Sequence, residues 1–149
     1  MGYQIPAKSI EPLNQNDLVK YAKASGDFNP IHLDKEFAKT MGFDDVIAHG
    51  MLIMAHLGNI IANSNYVSFL KHFSVQFCSV TRLKEKLICK GEVSKIEKNN
   101  QKKIITLKLK VLNLSGEVKI LGKMIFFIQI WFLVLLFEQF TKYVESIFE

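Results

Sequence analysis

The run AHGMLIMAHLGNIIANS, residues 48–64, decides what kind of fold this chain can have. It contains no Lys, Arg, Asp or Glu and is apolar on nearly every side. A helix built from it is predicted to be buried all round, since a surface helix keeps one polar face. What could surround it lies downstream, where the period changes. KIITLKLKV, 103–111, sets Ile105, Leu107, Leu109 and Val111 against Thr106, Lys108 and Lys110, the alternation of a half-buried strand. HFSVQFCSV (72–80), KLICKGEVSKIE (86–97) and GEVKILGKMIFF (116–127) read as further strands, with turn signals at KNNQK (98–102) and NLSG (113–116). Antiparallel strands around one apolar helix give an α+β domain, a curved sheet wrapped on a central helix. One sheet covers one face of such a helix, and a second subunit is a sensible cover for the rest.

Upstream, NDLVKYAKA (16–24) places Leu18, Tyr21 and Ala22 at helical spacing, with Asn14 or Asn16 as N-cap and Gly26 as the stop. LDKEFAKTMG (33–42) offers Asp34 as a second N-cap, an apolar face of Phe37 and Met41, and Gly42 as the next stop. With 149 residues, 49% apolar and 22% charged, the chain suits one ordinary domain, assigned to 1–128. The remaining 129–149 form a tail. The apolar run MIFFIQIWFLVLLF (124–137) is fourteen residues long, short of the roughly 20 that cross a bilayer. A buried or interface helix suits it better than a membrane contact or a disordered end that packs nowhere.

The N-terminus has neither a basic region nor an apolar stretch, so a cytoplasmic protein is expected. Cys78 and Cys89, with no Cys-x-x-Cys, read as two inert strand thiols in a reducing compartment. The net charge of +5 arises in residues 82–110, which hold ten Lys/Arg against three Asp/Glu. That is either the solvated face of the strands or an attraction for an anionic partner such as a coenzyme phosphate. No zinc-finger, RRM-like or helix-turn-helix pattern supports a nucleic-acid partner.

The chemistry is concentrated in SGDFNPIH, 25–32. Asp27 and His32 are five residues apart, a spacing that neither helix nor strand brings to one face. Gly26 ends the first helix, and Pro30 biases Asn29 away from the helical region, so a tight turn can aim both side chains at one pocket. There, a carboxylate and an imidazole could hold and activate a water. The competing reading is purely structural, with Asp27 making an Asx-turn and His32 capping the second helix. His49-Gly50, directly before the apolar helix, adds a helix terminus open to a developing oxyanion. Gly50 lets a carbonyl approach the main chain closely. No metal is expected, because His49 and His56 are seven apart and no His-x-x-x-His or cysteine cluster exists. His56 reads as a hydrogen-bonded core histidine. No Gly-x-Gly-x-x-Gly points to a nicotinamide.

Together, YAKASGDFNPIHLDKEFA (21–38) and VIAHGML (46–52) resemble the signature of the MaoC-like, (R)-specific enoyl-CoA hydratases, which are hotdog-fold enzymes. The resemblance extends over about residues 5–127. It implies that Asp27 and His32 activate the water added to a trans-2-enoyl-CoA, and that Gly50 donates its N–H to the thioester oxygen. Asn29 and Pro30 would position the loop, and His49 would shape the pocket. It further implies a homodimer or larger homo-oligomer, acyl-CoA as substrate and no separate cofactor. The same chemistry reversed would dehydrate a 3-hydroxyacyl group on an acyl carrier, and a non-catalytic thioester-binding or assembly subunit would keep the same fold. Two departures stand out. Gly58 occupies the position of a helix serine found in some of these hydratases. FCSVTRLKEK (77–86) replaces Phe-x-x-Pro-Val-x-x-Gly-Asp, with Lys84-Glu85 for Gly-Asp.

Overall fold

Helix α3 (Gly50–Ala62) packs into the hollow of a curved sheet because Ile53 and Leu57, one turn apart, share a single apolar face. They enter the same core as Leu107, Leu109, Val111, Ile120, Met124 and Phe126. Burying each such side chain contributes about 1.5–3 kcal/mol. These relations come from a computed structural model that describes residues 4–62, 69–99 and 102–129. The sheet contains β1 (Gln4–Ile10), β2 (Phe69–Phe77), β3 (Leu87–Asn99), β4 (Lys102–Asn113) and β5 (Val118–Gln129). Its order is β1-β3-β4-β5-β2, and every pairing is antiparallel. This is the α+β hotdog arrangement.

The four strands expected from the alternation are present. In β4 the inward residues Leu107, Leu109 and Val111 are buried, while Lys108 and Lys110 are exposed. On the outer face Lys90 stands opposite Lys110, and Lys108 opposite Lys123. The fifth strand, β1, has no counterpart among the sequence expectations. Only Ile10 of its residues is buried, and its register with β3 shifts between Ile5 and Lys8 around Pro6. An edge strand with a proline at a bulge carries almost no alternating signal. The apolar tail beyond Gln129 lies outside the described residues.

Two helices keep apolar side chains uncovered in the single chain. Over its described side chains, 50–59, α3 is buried at Ile53 and Leu57, with Met51 at 53% exposure and Leu52, Met54 and His56 half-buried. A single sheet has one concave face and can cover only the side of the helix turned towards it. The second helix, α2 (Lys35–Thr40), buries Ala38, whereas Phe37 and Met41 remain exposed. Its N-cap is Asp34, as expected, accepting from Glu36 and Phe37 N–H at 2.9 and 3.0 Å. Helix α1 (Gln15–Ser25) starts at Asn14 in a reciprocal capping box with Asp17 and ends at Gly26 in the left-handed conformation, φ 78°.

Lys84 carries the strain of the altered 77–86 segment. It is the one non-glycine residue with positive φ among those described, at 63°, and it stands where the resembling enzymes have glycine. A Cβ in this conformation costs about 1 kcal/mol or slightly more. Lys84→Gly is therefore expected to raise the melting temperature by roughly 2–4 °C, read by calorimetry or circular dichroism. An unchanged or lowered value would remove backbone strain at Lys84 from this account.

Candidate active site

The loop after α1 is built by short polar side chains acting on nearby backbone. Asp27 N–H donates to Ser25 Oγ at 3.2 Å, Asn29 N–H to Asp27 Oδ1 at 3.2 Å, and Ile31 N–H to Asn29 Oδ1 at 3.1 Å. Pro30 then opens a 3₁₀ turn over Pro30–His32. The Asx-turn reading of Asp27 is therefore correct, and it does not compete with a place in the site. His32 does not cap α2. Its Nδ1–H donates to the Ile47 carbonyl at 2.8 Å, fifteen residues away. Ile47 in turn donates its N–H to the Ile31 carbonyl at 3.3 Å, so two strips of backbone hold the ring between them. Fixing the proton on Nδ1 leaves Nε2 with a bare lone pair, the state a general base requires.

His49 joins the two residues. It is 1% exposed, and its Nε2–H donates to the backbone carbonyl of Asp27 at 3.1 Å. Its ring stacks on that of His32, with centroids 3.9 Å apart and planes at 28°, and meets the Tyr21 ring at 4.9 Å. Burial, with His32 adding repulsion, holds the His49 pKa below its ordinary value of 6.5. The neutral ring leaves Nδ1 buried without a hydrogen-bond partner.

One nitrogen of each histidine and a carboxylate oxygen of Asp27 lie within 4.8 Å of one another. This clustering was not visible in the spacing of the histidines along the chain. A single metal ion would need the lone pairs of both imidazoles to converge on it. Stacked rings keep theirs in two separate planes only 28° apart in tilt, a poor arrangement for sharing one cation.

Gly50 opens α3 at the rim of a cleft of about 460 Å³, whose lining includes His32, Ile47, Met51, Phe77 and Thr81. Among the described residues its N–H has no protein acceptor, as expected at the start of a helix. A Cβ at this position would lie 2.9 Å from Cε1 of Phe77, so the absence of a side chain keeps the rim open. Gly58 faces a similar obstacle, since a Cβ there would meet the Phe73 ring at 3.0 Å. That ring occupies space a serine side chain would need.

Ile47, Phe77 and Tyr21 were not singled out from the sequence, because each reaches the site through a contact distant along the chain. Cys78 lies just past the end of β2 and is exposed, lining the cleft. Cys89 is buried in β3, which pushes its thiol pKa up to about 11. Neither has the environment of an activated thiol.

Residues 3–114 match the family described as MaoC like domain. The chain belongs to the MaoC-like dehydratase family. This MaoC-like chain is 33% identical over 99 residues to a mitochondrial 3-hydroxyacyl-(acyl-carrier-protein) dehydratase of Solanum lycopersicum, covering 56% of this chain and 60% of that protein. It thus spans about three fifths of the length of that relative. It is also 27% identical over 109 residues to an (R)-specific enoyl-CoA hydratase of Aeromonas caviae, covering 72% of this chain and 80% of that protein. Among solved structures, R-hydratase PhaJ1 from Pseudomonas aeruginosa superposes with a TM-score of 0.74 at 26% identity, covering 86% of this MaoC-like chain and 80% of the other.

Proposed function

We propose that the chain adds water reversibly to a trans-2-enoyl thioester, giving the (R)-3-hydroxyacyl thioester. The observation that carries this reading is the convergence of Asp27 and His32, with the His32 tautomer fixed by Ile47. A water held by the Asp27 carboxylate loses a proton to His32 Nε2 as its oxygen bonds to C3 of the conjugated thioester. The electron pair moves to the thioester oxygen, where the free Gly50 N–H and the start of α3 stabilise it. Return of a proton to C2 completes the addition, and the reverse sequence expels water. This acid–base route calls for no metal or organic cofactor. Asn29 and Pro30 hold the loop in shape.

We read the working form as a homodimer or larger. The exposed residues Met51 and Phe77 border the cleft, and β2 is a nine-residue strand at the edge of the described sheet, with Phe69 and Leu70 also exposed. A second copy would cover them. The opposed lysines of the outer face favour an anionic carrier for the acyl group, either coenzyme A or an acidic acyl carrier. Two free thiols suit a reducing compartment, the cytoplasm or, as in the relative from Solanum lycopersicum, the mitochondrion.

The test is hydration of crotonyl-CoA by the purified full chain, followed through loss of the conjugated thioester absorbance. The expected product is (R)-3-hydroxybutyryl-CoA. A folded protein inactive on crotonyl and longer enoyl chains, whether on coenzyme A or on an acyl carrier, would favour a thioester-binding or assembly subunit instead.

A further inference from the structure

Lys119 has no surface exposed to solvent, although the alternation along β5 places it on the outer face of the sheet. A lysine in a strand ordinarily extends into water, and burying its charge is costly unless every donor is matched. Here all three are used. The ammonium donates to the Val80 carbonyl at 2.8 Å, to Glu85 Oε1 at 3.0 Å and to Glu117 Oε2 at 2.6 Å. The two carboxylates are satisfied in turn. Arg82 N–H donates to Glu85 at 2.8 Å, and Asn113 Nδ2 reaches both Glu85 and Glu117 at 3.1 Å. The backbone supports the same junction, with Cys78 N–H donating to the Lys119 carbonyl at 2.9 Å.

The segment gripped in this way lines the cleft at Val80 and Thr81, and it is bonded to the strip that leads into His49 and Gly50. Residue 81, next to Val80, accepts the Ala48 N–H on its carbonyl at 2.8 Å. Arg82 forms an isolated β-bridge with Ile47. The carbonyl of Ile47 fixes the tautomer of His32, and Ala48 leads directly into His49 and Gly50. We propose that Lys119 is a positioning residue for the hydration site. Its ammonium clamps residues 80–85 onto β5, and through that segment it holds the 47–50 strip at the height where His32 and Gly50 face the same substrate. The altered 77–86 sequence then has a use, because Glu85 supplies one arm of the clamp.

This inference rests on the hydratase reading, so its test includes a signal that needs no substrate. Lys119→Met keeps the length of the side chain and removes the charge. The His32 Nδ1–H, assigned by its absence in His32→Ala, is followed by proton NMR alongside kcat, KM and thermal unfolding. In the parent, the bond to Ile47 should shelter that proton from exchange. In folded Lys119→Met it is expected to exchange at least tenfold faster, while kcat on crotonyl-CoA falls about tenfold and KM shifts less than threefold, the pattern of a misplaced group. A lowered melting temperature with an unchanged His32 signal and kcat within twofold would overturn the proposal and leave Lys119 as a fold-stabilising residue only. Should Lys119→Met fail to fold, Glu85→Gln decides. It keeps shape and an acceptor oxygen, and it should show the same exchange effect with a three- to tenfold loss of kcat; neither change would count against the clamp. An inactive parent whose His32 proton still responds to these variants would sink the reaction and uphold the clamp.

Discussion

Asp27→Asn is expected to lower kcat for enoyl-thioester hydration by about 10²-fold or more, the usual weight of a positioned acid–base group. The substitution is well matched to the local structure. An asparagine oxygen can still accept the Asn29 N–H that Asp27 Oδ1 now takes at 3.2 Å, so the Asx-turn and the course of the loop should survive. What disappears is the negative charge that orients the water and balances a protonated His32. His32→Ala should cost a similar factor by removing the lone pair that the Ile47 bond directs at the site. Because both side chains act on one water, the double variant should be little worse than either single one. Steady-state rates of the three proteins, each checked for native circular dichroism, decide the matter. A loss below tenfold in folded Asp27→Asn would remove that carboxylate from the mechanism.

The second large effect concerns His49, which touches both of those residues. His49→Ala removes a buried ring, its stack on His32 and its bond to the Asp27 carbonyl. The expected cost is roughly 2–4 kcal/mol of stability, together with about a tenfold loss of kcat from the loosened pair. Its pH signature separates it from an ordinary core residue. Burial holds the His49 pKa below 6.5, so the folded chain refuses a proton that the unfolded chain accepts. Above about pH 6.5 the ring is neutral in both states and contributes no pH dependence. As the pH falls below that value the unfolded state binds more protons, and stability declines. The carboxyls of Glu85 and Glu117 are also held low, but from an ordinary value of 4.5, so they act beneath this window. Urea unfolding at pH 7.5 and 5.5 should show a drop in the parent that is smaller in His49→Ala. Equal drops in both proteins would show that His49 does not carry the titration.

The parts of this molecule that could be read from its sequence are those whose physics is local. Asn14, Asp34 and Asn29 each act on backbone two or three residues away, and Gly26 ends a helix by its own conformation. The Asp27–His32 turn belongs to this class. The alternation in β4 was equally direct, since one strand displays both faces. What escaped depends on partners far along the chain. Lys119 reads as a solvent-side residue of β5 until Glu85, thirty-four positions away, folds over it. Ile47 looks like any apolar residue, and its role lies in a carbonyl that has no sequence signature. The run at 48–62 is apolar enough for burial on every side, yet one chain supplies cover for only one. In that case the sequence carries more apolar surface than the described part of the protomer covers.

The open edge of β2 extends that point from structure to the conditions under which the protein is made. Among the described residues nothing pairs with its outer side, and its nine residues, with Phe69, Leu70 and Phe77 exposed, offer that backbone to an arriving strand. On the proposed pairing with a second copy, a newly synthesised chain faces a race between meeting its own kind and meeting something else. The winner depends on how many copies are present and how quickly they emerge. Yield, solubility and the apparent melting point should then be properties of the solution as much as of the molecule, improving as matched copies become more abundant.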